Sequence, residues 1–178
     1  MIKQLNEQYY VRGLCEADVD GSYPSWFEDQ EVCAFNSHGK FVRTKDYFRQ
    51  FIRTLDGQSM FVWAICHVQD GHIGNVALQN ISLVNRNAEF AIIMGDRRHW
   101  GKGVGLLASK AILEHGFKKL NLHRIYCGTA ATNTAMRKLA AALGMQQEGI
   151  RPQHLFLDGQ WVDVVDFGVL RQPLHFSV

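Results

Sequence analysis

Apolar residues recur along the chain at two spacings, and together these predict a mixture of strands and helices. Short apolar or alternating runs predict strands at residues 9–14, 60–68, 73–84, 88–94, 124–129 and 161–170. Apolar positions three and four apart predict helices at residues 44–55, from Val104 onward, and between a Thr132 cap and Gly144. Strands and helices should therefore share one core.

Two turn signals organise the strands into hairpins. Asp70-Gly71 lies between the second and third predicted strands, and Asp158-Gly159 precedes the last one. The run at 88–94 is nearly continuous in apolar residues, which predicts a strand that is covered on both faces. This strand enters a glycine-rich loop almost directly.

The loop has the sequence RRHWGKGVGLLASK, with glycines at positions 101, 103 and 105 that lead into the helix from Val104. Glycine admits unusual backbone angles and close approach, and a helix N-terminus offers unpaired N–H groups, so the pattern favours an anion site. The spacing does not match a P-loop or a dinucleotide fingerprint, because Gly103 follows Lys102 and Leu106 stands at the last glycine position. A turn that only caps a helix remains an alternative.

The loop resembles the pyrophosphate loop of the GNAT N-acetyltransferase superfamily, in which Gln or Arg, two residues, Gly, one residue and Gly or Ala follow one another. Gly103 and Gly105 fill the two small positions. Trp100 replaces the usual Gln or Arg, a departure typical of the ribosomal-protein alanine acetyltransferase branch. Similarity extends over nearly the whole chain and is strongest from residue 87 onward. The resemblance implies an α+β fold with a mostly antiparallel sheet of about seven strands and about four flanking helices.

The resemblance also implies acetyl-CoA as cofactor and identifies the residues expected to contact it. The strand before the loop is expected to separate from its neighbour and offer backbone N–H groups. Asn133 opens the second cofactor motif with Arg137 one turn later, although Asn133 also suits a simple helix start. The expected set is Ile92, Ile93, Met94, Arg97, Arg98, Trp100, Gly101, Lys102, Gly103, Val104, Gly105, Leu106, Asn133 and Arg137.

Glu89 is the candidate catalytic base, since it interrupts an apolar strand just ahead of the loop. An alkyl ammonium has a pKa near 10.4 and must lose its proton before attack, so a carboxylate is a useful helper. An ion pair of Glu89 with Arg86 or Arg97, or a solvated strand end, is the structural alternative.

Many family members place a tyrosine seven residues after the asparagine to protonate the leaving thiolate, but Ala140 stands there. Tyr126 and His123 are weaker candidates for that acid, because such residues are often only packed. A coenzyme A thiol is acidic enough to leave without full proton transfer, so turnover is still expected.

The amine acceptor is expected to bind the N-terminal section, where Trp26, Phe27, Asp29 and Asn36 are the candidate contacts. Aromatic walls with carboxylates suit a cationic amine, and the Trp-x-x-Asp pattern also resembles acetyltransferases of surface-sugar biosynthesis. We rank an amino sugar, free or nucleotide-linked, and a peptide amine first, while polyamines and aminoglycosides remain open. The alternative is that Trp26 and Phe27 belong to the core.

Composition narrows the class of protein further. With 178 residues, 47% of them hydrophobic and 20% charged, the chain is expected to form a single domain, residues 1–178. A polar start and the lack of a long apolar run predict a cytoplasmic protein without membrane contact. A net charge of +2 predicts no nucleic-acid partner, and the scattered cysteines and histidines predict reduced thiols and no metal site.

The sequence therefore predicts an acetyl-CoA-dependent N-acetyltransferase, a monomer or homodimer, that acts on an amine substrate. A catalytically silent acyl-CoA-binding regulatory module is the alternative, motivated by the missing tyrosine.

Overall fold

The computed structural model describes residues 2–171, and its central feature is a mixed sheet of eight strands in the order β1-β2-β3-β4-β5-β6-β8-β7. All neighbours are antiparallel except β5 and β6. The strands are β1 (Ile2–Gln4), β2 (Tyr9–Gly13), β3 (Phe61–His67), β4 (Gly71–Ser82), β5 (Asn87–Met94), β6 (Arg124–Ala130), β7 (Gln146–Leu157) and β8 (Gln160–Leu170). The helices are α1 (Lys45–Arg53), α2 (Val104–Lys118) and α3 (Thr134–Ala142).

The predicted fold class is confirmed, although the counts differ within the described residues. The sheet has eight strands, where the resemblance implied about seven. The apolar pattern predicted six of them, because β1 is too short and β7 too exposed to show such a pattern. Three α-helices replace the expected four, since the segment after β2 forms only short 3-10 turns, at Glu16–Asp20 and Pro24–Phe27. Both predicted hairpin turns are present, with Gly71 and Gly159 at φ of 72° and 80°.

The N-cap predicted for α3 is wrong by one residue. Asn133, not Thr132, caps this helix, because its side-chain oxygen accepts the N–H of Met136 at 3.0 Å. The expectation that β5 is covered on both faces is only half correct. Only Ala88 and Phe90 are buried, on one face, while the other residues of β5 are partly accessible.

The two faces of the sheet carry separate apolar clusters. One cluster contains α2, with Val104, Ala108 and Ile112 packed on Leu78 and Phe90. The other lies under α1 and the 3-10 turns and contains Tyr23, Trp26, Phe48 and Ile52. The sheet therefore separates an α2 side from a side built by the N-terminal segment.

The parallel neighbours β5 and β6 pair over only three residues. Asn87, Ala88 and Glu89 face Arg124, Ile125 and Tyr126, and no pairing continues beyond them. From Glu89 onward β5 stays with β4, while β6 stays with β8. The two strands thus form a fork, defined here as the gap that opens after Glu89 and Tyr126, and it connects the two faces.

Candidate active site

A cleft of about 900 Å³ passes through the fork. On the α2 side it is bounded by the glycine loop, the start of α3 and Gly128 and Thr129 of β6. On the other side it is bounded by aromatic residues of the N-terminal segment and α1. We call these parts the loop half and the aromatic half. Of the predicted site residues, those that line the cleft are Phe27, Asn36, Glu89, Ile92, Ile93, Met94, Trp100, Gly101, Gly103, Gly105, Leu106 and Asn133.

The glycine loop has the backbone of an anion site. Gly101 and Gly103 have φ of 73° and 77°, in the left-handed region that other residues adopt only under strain. The first helical bond of α2 runs from the N–H of Leu107 to the carbonyl of Gly103, at 3.2 Å. The N–H groups of Val104, Gly105 and Leu106 precede it and so have no acceptor within the helix. They are available to a phosphate at the positive end of the helix dipole.

The end of β5 presents a second row of donors to the fork. The N–H of Gly95 binds the carbonyl of Ile73 on β4, and strand alternation directs the N–H of Ile93 the same way. The N–H groups of Ile92 and Met94 therefore point into the gap. Ile93 lines the cleft through its side chain instead, on the face of Glu89 and Ala91.

Trp100 fastens the loop to this strand. Its indole N–H donates to the carbonyl of Met94 at 2.8 Å, across the mouth of the fork. The side chain is 42% exposed, and the guanidinium of Arg97 lies 5.8 Å from its ring centre. The residue that departs from the usual loop pattern thus positions the strand end that carries the free amides.

The start of α3 completes the loop half. Asn133 lines the cleft and uses its side-chain oxygen for the helix cap, so its amide NH₂ group is not needed for the cap. The exposed Arg137 donates to the carbonyl of Ala131 at 3.3 Å. Lys102 is exposed on the loop itself. A ligand with several phosphates would meet backbone donors and these cations together.

The remaining residues predicted to contact the cofactor have other surroundings. Val104 is 1% exposed and belongs to the core. Arg97 pairs with Glu31 at 2.7 Å and lies 3.7 Å from Asp29, which ties the loop to the N-terminal segment. Arg98 pairs with Asp96 at 2.6 Å. None of these three lines the cleft.

Glu89 stands at the base of the fork and lines the cleft. Its carboxylate accepts a hydrogen bond from the Asn80 side chain at 2.7 Å. Neither Arg86 nor Arg97 forms the ion pair that was its structural alternative, because Arg86 binds Asn121 and Arg97 binds Glu31. One carboxylate oxygen remains available where the two halves of the cleft meet.

The aromatic half is built around Phe27 and Phe48, with Tyr23, Phe35, Tyr47 and Phe51 beside them. Its floor is the sheet, where Ala77 and Ala91 are paired and small. Asn36 lines this half, although its side-chain oxygen accepts the N–H of His38 at 2.8 Å. Space above two alanines between aromatic walls suits an organic acceptor.

Trp26 and Asp29, also predicted as acceptor contacts, do not line the cleft. Trp26 is 4% exposed, and its ring packs so closely on Gly95 that a Cβ there would lie 1.8 Å from it. Asp29 accepts the N–H groups of Glu31 and Val32 and so shapes a turn. The core alternative therefore describes Trp26, which supports the junction of β5 and the loop.

The sequence did not single out Asn75, which lines the aromatic half from β4 although it is only 7% exposed. Its oxygen lies 2.7 Å from Nε2 of His72, which is buried beside Trp26 and Asp18. Burial lowers the pKa of His72, so the ring is neutral near pH 7 and donates through Nε2. A polar residue that interrupts an apolar strand was the available signal, as at Glu89.

A chain of polar contacts holds the start of the loop against the β3–β4 hairpin. Asp70 lies 2.7 Å from His67 Nδ1 and 3.2 Å from His99 Nε2, and His99 Nδ1 lies 3.0 Å from the Tyr9 hydroxyl. The buried His99 directly precedes Trp100. The ligand atoms of these two histidines and Asp70 lie within 4.8 Å of one another. His67 Nδ1 accepts the backbone N–H groups of Gln69 and Asp70, at 3.4 and 3.2 Å.

Neither candidate for the acid that protonates the leaving thiolate lines the cleft, nor does Ala140 at the position of the usual tyrosine. Ala140 is fully buried in the α2-side core. Tyr126 is paired with Glu89 across the fork base but does not line the cleft, and His123 is exposed elsewhere. The four cysteines, all within the described residues, are unpaired, and none of them lines the cleft.

The sheet opens beside the glycine loop, and both the end of β5 and the loop carry free backbone N–H groups. This arrangement is typical of proteins that bind an extended, phosphate-bearing ligand against the end of a strand. Residues 9–146 match the family model of the acetyltransferase (GNAT) domain. The chain therefore belongs to the GNAT acetyltransferase family, as the resemblance of its glycine loop implied.

Similar proteins include an uncharacterized N-acetyltransferase, p20, of Bacillus licheniformis, 33% identical over 119 residues. That match covers 67% of this chain and 66% of the relative. The spermidine N(1)-acetyltransferase of Vibrio cholerae is 34% identical over 103 residues, which cover 58% of this chain and 59% of the enzyme. The matched regions thus span about two thirds or less of these relatives.

Among solved structures, the fold matches that of RimL, a ribosomal L7/L12 alpha-N-protein acetyltransferase in complex with coenzyme A. The TM-score is 0.84 at 16% identity, and the match covers 96% of this chain and 98% of the other. This likeness confirms the fold. No helix among residues 2–171 is both long and apolar enough to span a membrane.

Proposed function

We propose that this chain transfers the acetyl group of acetyl-CoA directly to a primary amine, either of a small molecule such as a free or nucleotide-linked amino sugar or of a peptide N-terminus. The observation that carries the proposal is the position of Glu89. It stands where the amide-lined loop half and the aromatic half meet, at the base of the fork. An amine that enters from the aromatic half meets the carboxylate and the strand end together.

The residues of the loop half fit the cofactor. The free N–H groups of Val104, Gly105 and Leu106 suit a pyrophosphate, with Lys102 and Arg137 exposed nearby. The open edge of β5 at Ile92 and Met94 suits an extended amide chain, which can pair with a strand edge. When bound, acetyl-CoA supplies an acetyl thioester.

Within this arrangement Glu89 takes the proton that the ammonium must lose, directly or through a water molecule, so that the nitrogen lone pair can attack the acetyl carbon. The carbon–nitrogen bond forms, the carbon–sulfur bond of the thioester breaks, and coenzyme A leaves as its thiolate, while the second proton of the nitrogen passes to solvent or to that thiolate. The N–H groups that point into the gap hold the carbonyl oxygen as negative charge develops on it. Asn80 holds the carboxylate in place through its 2.7 Å hydrogen bond. The absence of a cysteine from the cleft lining supports direct transfer rather than transfer through an enzyme thioester.

The test is coenzyme A release from acetyl-CoA with a panel of primary amines: amino sugars, a nucleotide-linked amino sugar, peptides and polyamines. We expect release with members of the first three groups. A protein that binds acetyl-CoA in a thermal-shift assay and yet accepts no amine would be the silent module instead, and would contradict the proposal.

Four further expectations accompany this proposal. We infer a cytoplasmic protein that is a monomer or homodimer, with no nucleic-acid or membrane partner. Its net charge of +2 and the scattered placement of its cations support the last two points. Sedimentation analysis of the purified protein measures the oligomeric state.

A further inference from the structure

Arg43 is a cation in the aromatic half of the cleft that has no acidic partner there. It lines the cleft just before α1 and, among residues 2–171, pairs with no carboxylate. The two carboxylates that line the same cleft are engaged elsewhere. Glu31 binds Arg97 at 2.7 Å, and Glu89 accepts from Asn80. The charge of Arg43 is therefore not neutralised by the acids around the cleft.

The guanidinium is held in place by aromatic rings rather than by charge. Its central carbon lies 4.8 Å from the ring centre of Tyr47 and 5.6 Å from that of Phe27. Stacking on aromatic faces orients the planar group while leaving its N–H edge available for hydrogen bonds. One of its nitrogens lies 3.5 Å from Nδ1 of His38. Phe27 and Tyr47 line the cleft as well, so the stacked group faces the acceptor space.

The neighbouring His38 does not supply the missing negative charge. Burial, and then the charge of Arg43, lower the pKa of His38, so the imidazole is neutral near pH 7. A neutral imidazole beside a guanidinium can accept one hydrogen bond but cannot compensate its charge. Asp46, the acid nearest in sequence, forms its ion pair with Arg49 on α1.

From this arrangement we infer that the acceptor carries an anionic group, a carboxylate or a phosphate, beside its amine, and that Arg43 binds that group between Phe27 and Tyr47. The inference rests on the proposed function, since it describes the second substrate of the same site. Guanidinium binds carboxylates and phosphates through paired hydrogen bonds, which are stronger when both groups are charged.

The same geometry disfavours a polyamine. A second ammonium of such a substrate would approach a cation of the same sign in a partly desolvated cleft, where like charges repel. The spermidine acetyltransferase of V. cholerae is similar in sequence. The charge of Arg43 is the reason to expect a different acceptor for this chain from the substrate in that enzyme's name.

The test uses pairs of amines that differ only in the anionic group. Suitable pairs are glucosamine 6-phosphate with glucosamine, and an amino acid with its amide, with spermidine as the polyamine. For the wild-type protein we expect kcat/KM to favour the anionic member of at least one pair by about 10- to 100-fold, the range for a charged hydrogen-bonded contact. The pair that shows the preference distinguishes phosphate from carboxylate.

Arg43→Gln is expected to reduce that ratio to about one, chiefly through KM of the anionic member, while Arg43→Lys retains part of it. Arg49→Gln is the matched control on α1, since Arg49 pairs with Asp20 and Asp46 outside the cleft, and should keep the wild-type ratio. An acetyl-CoA thermal shift verifies that each variant is folded.

Turnover without any anionic preference, a preference for spermidine, or an unchanged ratio in Arg43→Gln would overturn the inference and leave the proposed function intact. Acetyl-CoA binding without turnover of any amine would overturn both.

Discussion

At the scale of single residues, the site depends on polar side chains that interrupt apolar strands. Glu89 was identified from the sequence because burying an unpaired carboxylate within an apolar strand costs free energy, so a carboxylate at such a position indicates a functional role. Asn75 also interrupts an apolar strand, β4. Its place in the site depends on its contact with His72 and on the pairing of β4 with Ile93 of β5, and only the fold shows these. Trp26 was assigned to the acceptor site and instead packs against Gly95. The sequence does not distinguish a tryptophan that lines a cleft from one that packs in the core.

Glu89→Gln keeps size and hydrogen bonding but removes basicity. Turnover at pH 7 is expected to fall about 100-fold or more, with little change in acetyl-CoA affinity. Raising the pH should restore part of the rate, because more of the amine is then neutral without help. The pH-rate profiles of variant and wild type measure this. Glu114→Gln on α2, an ion-pair partner of Lys3 and Lys118, is the control. Near-normal activity of Glu89→Gln at pH 7 would assign Glu89 a structural role.

His72 makes the aromatic half sensitive to acid. Burial lowers its pKa against the opposing effect of Asp18, so the unfolded chain takes up the proton more readily than the folded one. Neutral His72 therefore contributes fully to the free energy of unfolding above about pH 6.5, the pKa of histidine in the unfolded chain. That contribution is lost as the pH falls toward the lower pKa of His72 in the folded protein. His72→Gln keeps an N–H donor for Asn75 and does not titrate.

Melting temperatures measured between pH 5 and 8 should show a flatter pH dependence for His72→Gln than for wild type. His123→Gln, at an exposed position, should retain the wild-type slope. If the two variants have equal slopes, His72 is not the titrating group.

At the scale of elements, the strands and helices that bury one face were predictable, and those without such a face were not. The position of α1, the start of α2 and the hairpins at Gly71 and Gly159 follow from local residue patterns. Strand β7 is mostly exposed and the segment after β2 forms irregular turns, so neither carries an apolar period. The glycine loop was found because its requirement is local, namely left-handed backbone ahead of a helix.

Gly103→Val is expected to remove most of the stabilisation by acetyl-CoA, because a branched side chain is strained at a φ of 77° and covers the N–H groups of the loop. For wild type at about 100 times the dissociation constant, that stabilisation is about 2.7 kcal/mol. Thermal shift with and without ligand measures it. Gly159→Val, at a φ of 80° in a distant hairpin, carries the same backbone strain and should keep the ligand shift. A full shift in folded Gly103→Val would refute the loop assignment.

Trp100→Phe tests the fastening of the loop to β5. The variant keeps an aromatic ring but loses the donor to the Met94 carbonyl, a bond of about 0.5 to 1.5 kcal/mol. Acetyl-CoA affinity is expected to fall by about 2- to 10-fold. Isothermal titration measures this, with Trp161→Phe on the exposed face of β8 as control. Equal affinity in Trp100→Phe would mean that the loop holds its position without this bond.

At the scale of the whole molecule, the family resemblance predicted the mostly antiparallel sheet, whereas periodicity alone gave no strand order. The fork could not be derived from local patterns, because it depends on where β5 and β6, separated by all of α2, stop pairing. The division of the cleft between two faces follows from the fork and was likewise not contained in any single segment.

Because the halves lie on opposite faces, each ligand should protect its own half from hydrogen exchange. Acetyl-CoA is expected to slow exchange of amides at 92–94, at 101–106 and near Asn133, and to leave α1 unchanged. Peptide-resolved exchange by mass spectrometry measures both regions in one experiment. Protection confined to α1 would place the cofactor in the aromatic half and contradict the arrangement.

The three-residue pairing between β5 and β6 also has a mechanical consequence. It is the seam between a block of five strands and a block of three, and a short ladder resists separation less than the long ladders on either side. A ligand that contacts both blocks holds them together. The fork in which the substrates meet is therefore also the place where ligand binding makes the molecule more rigid.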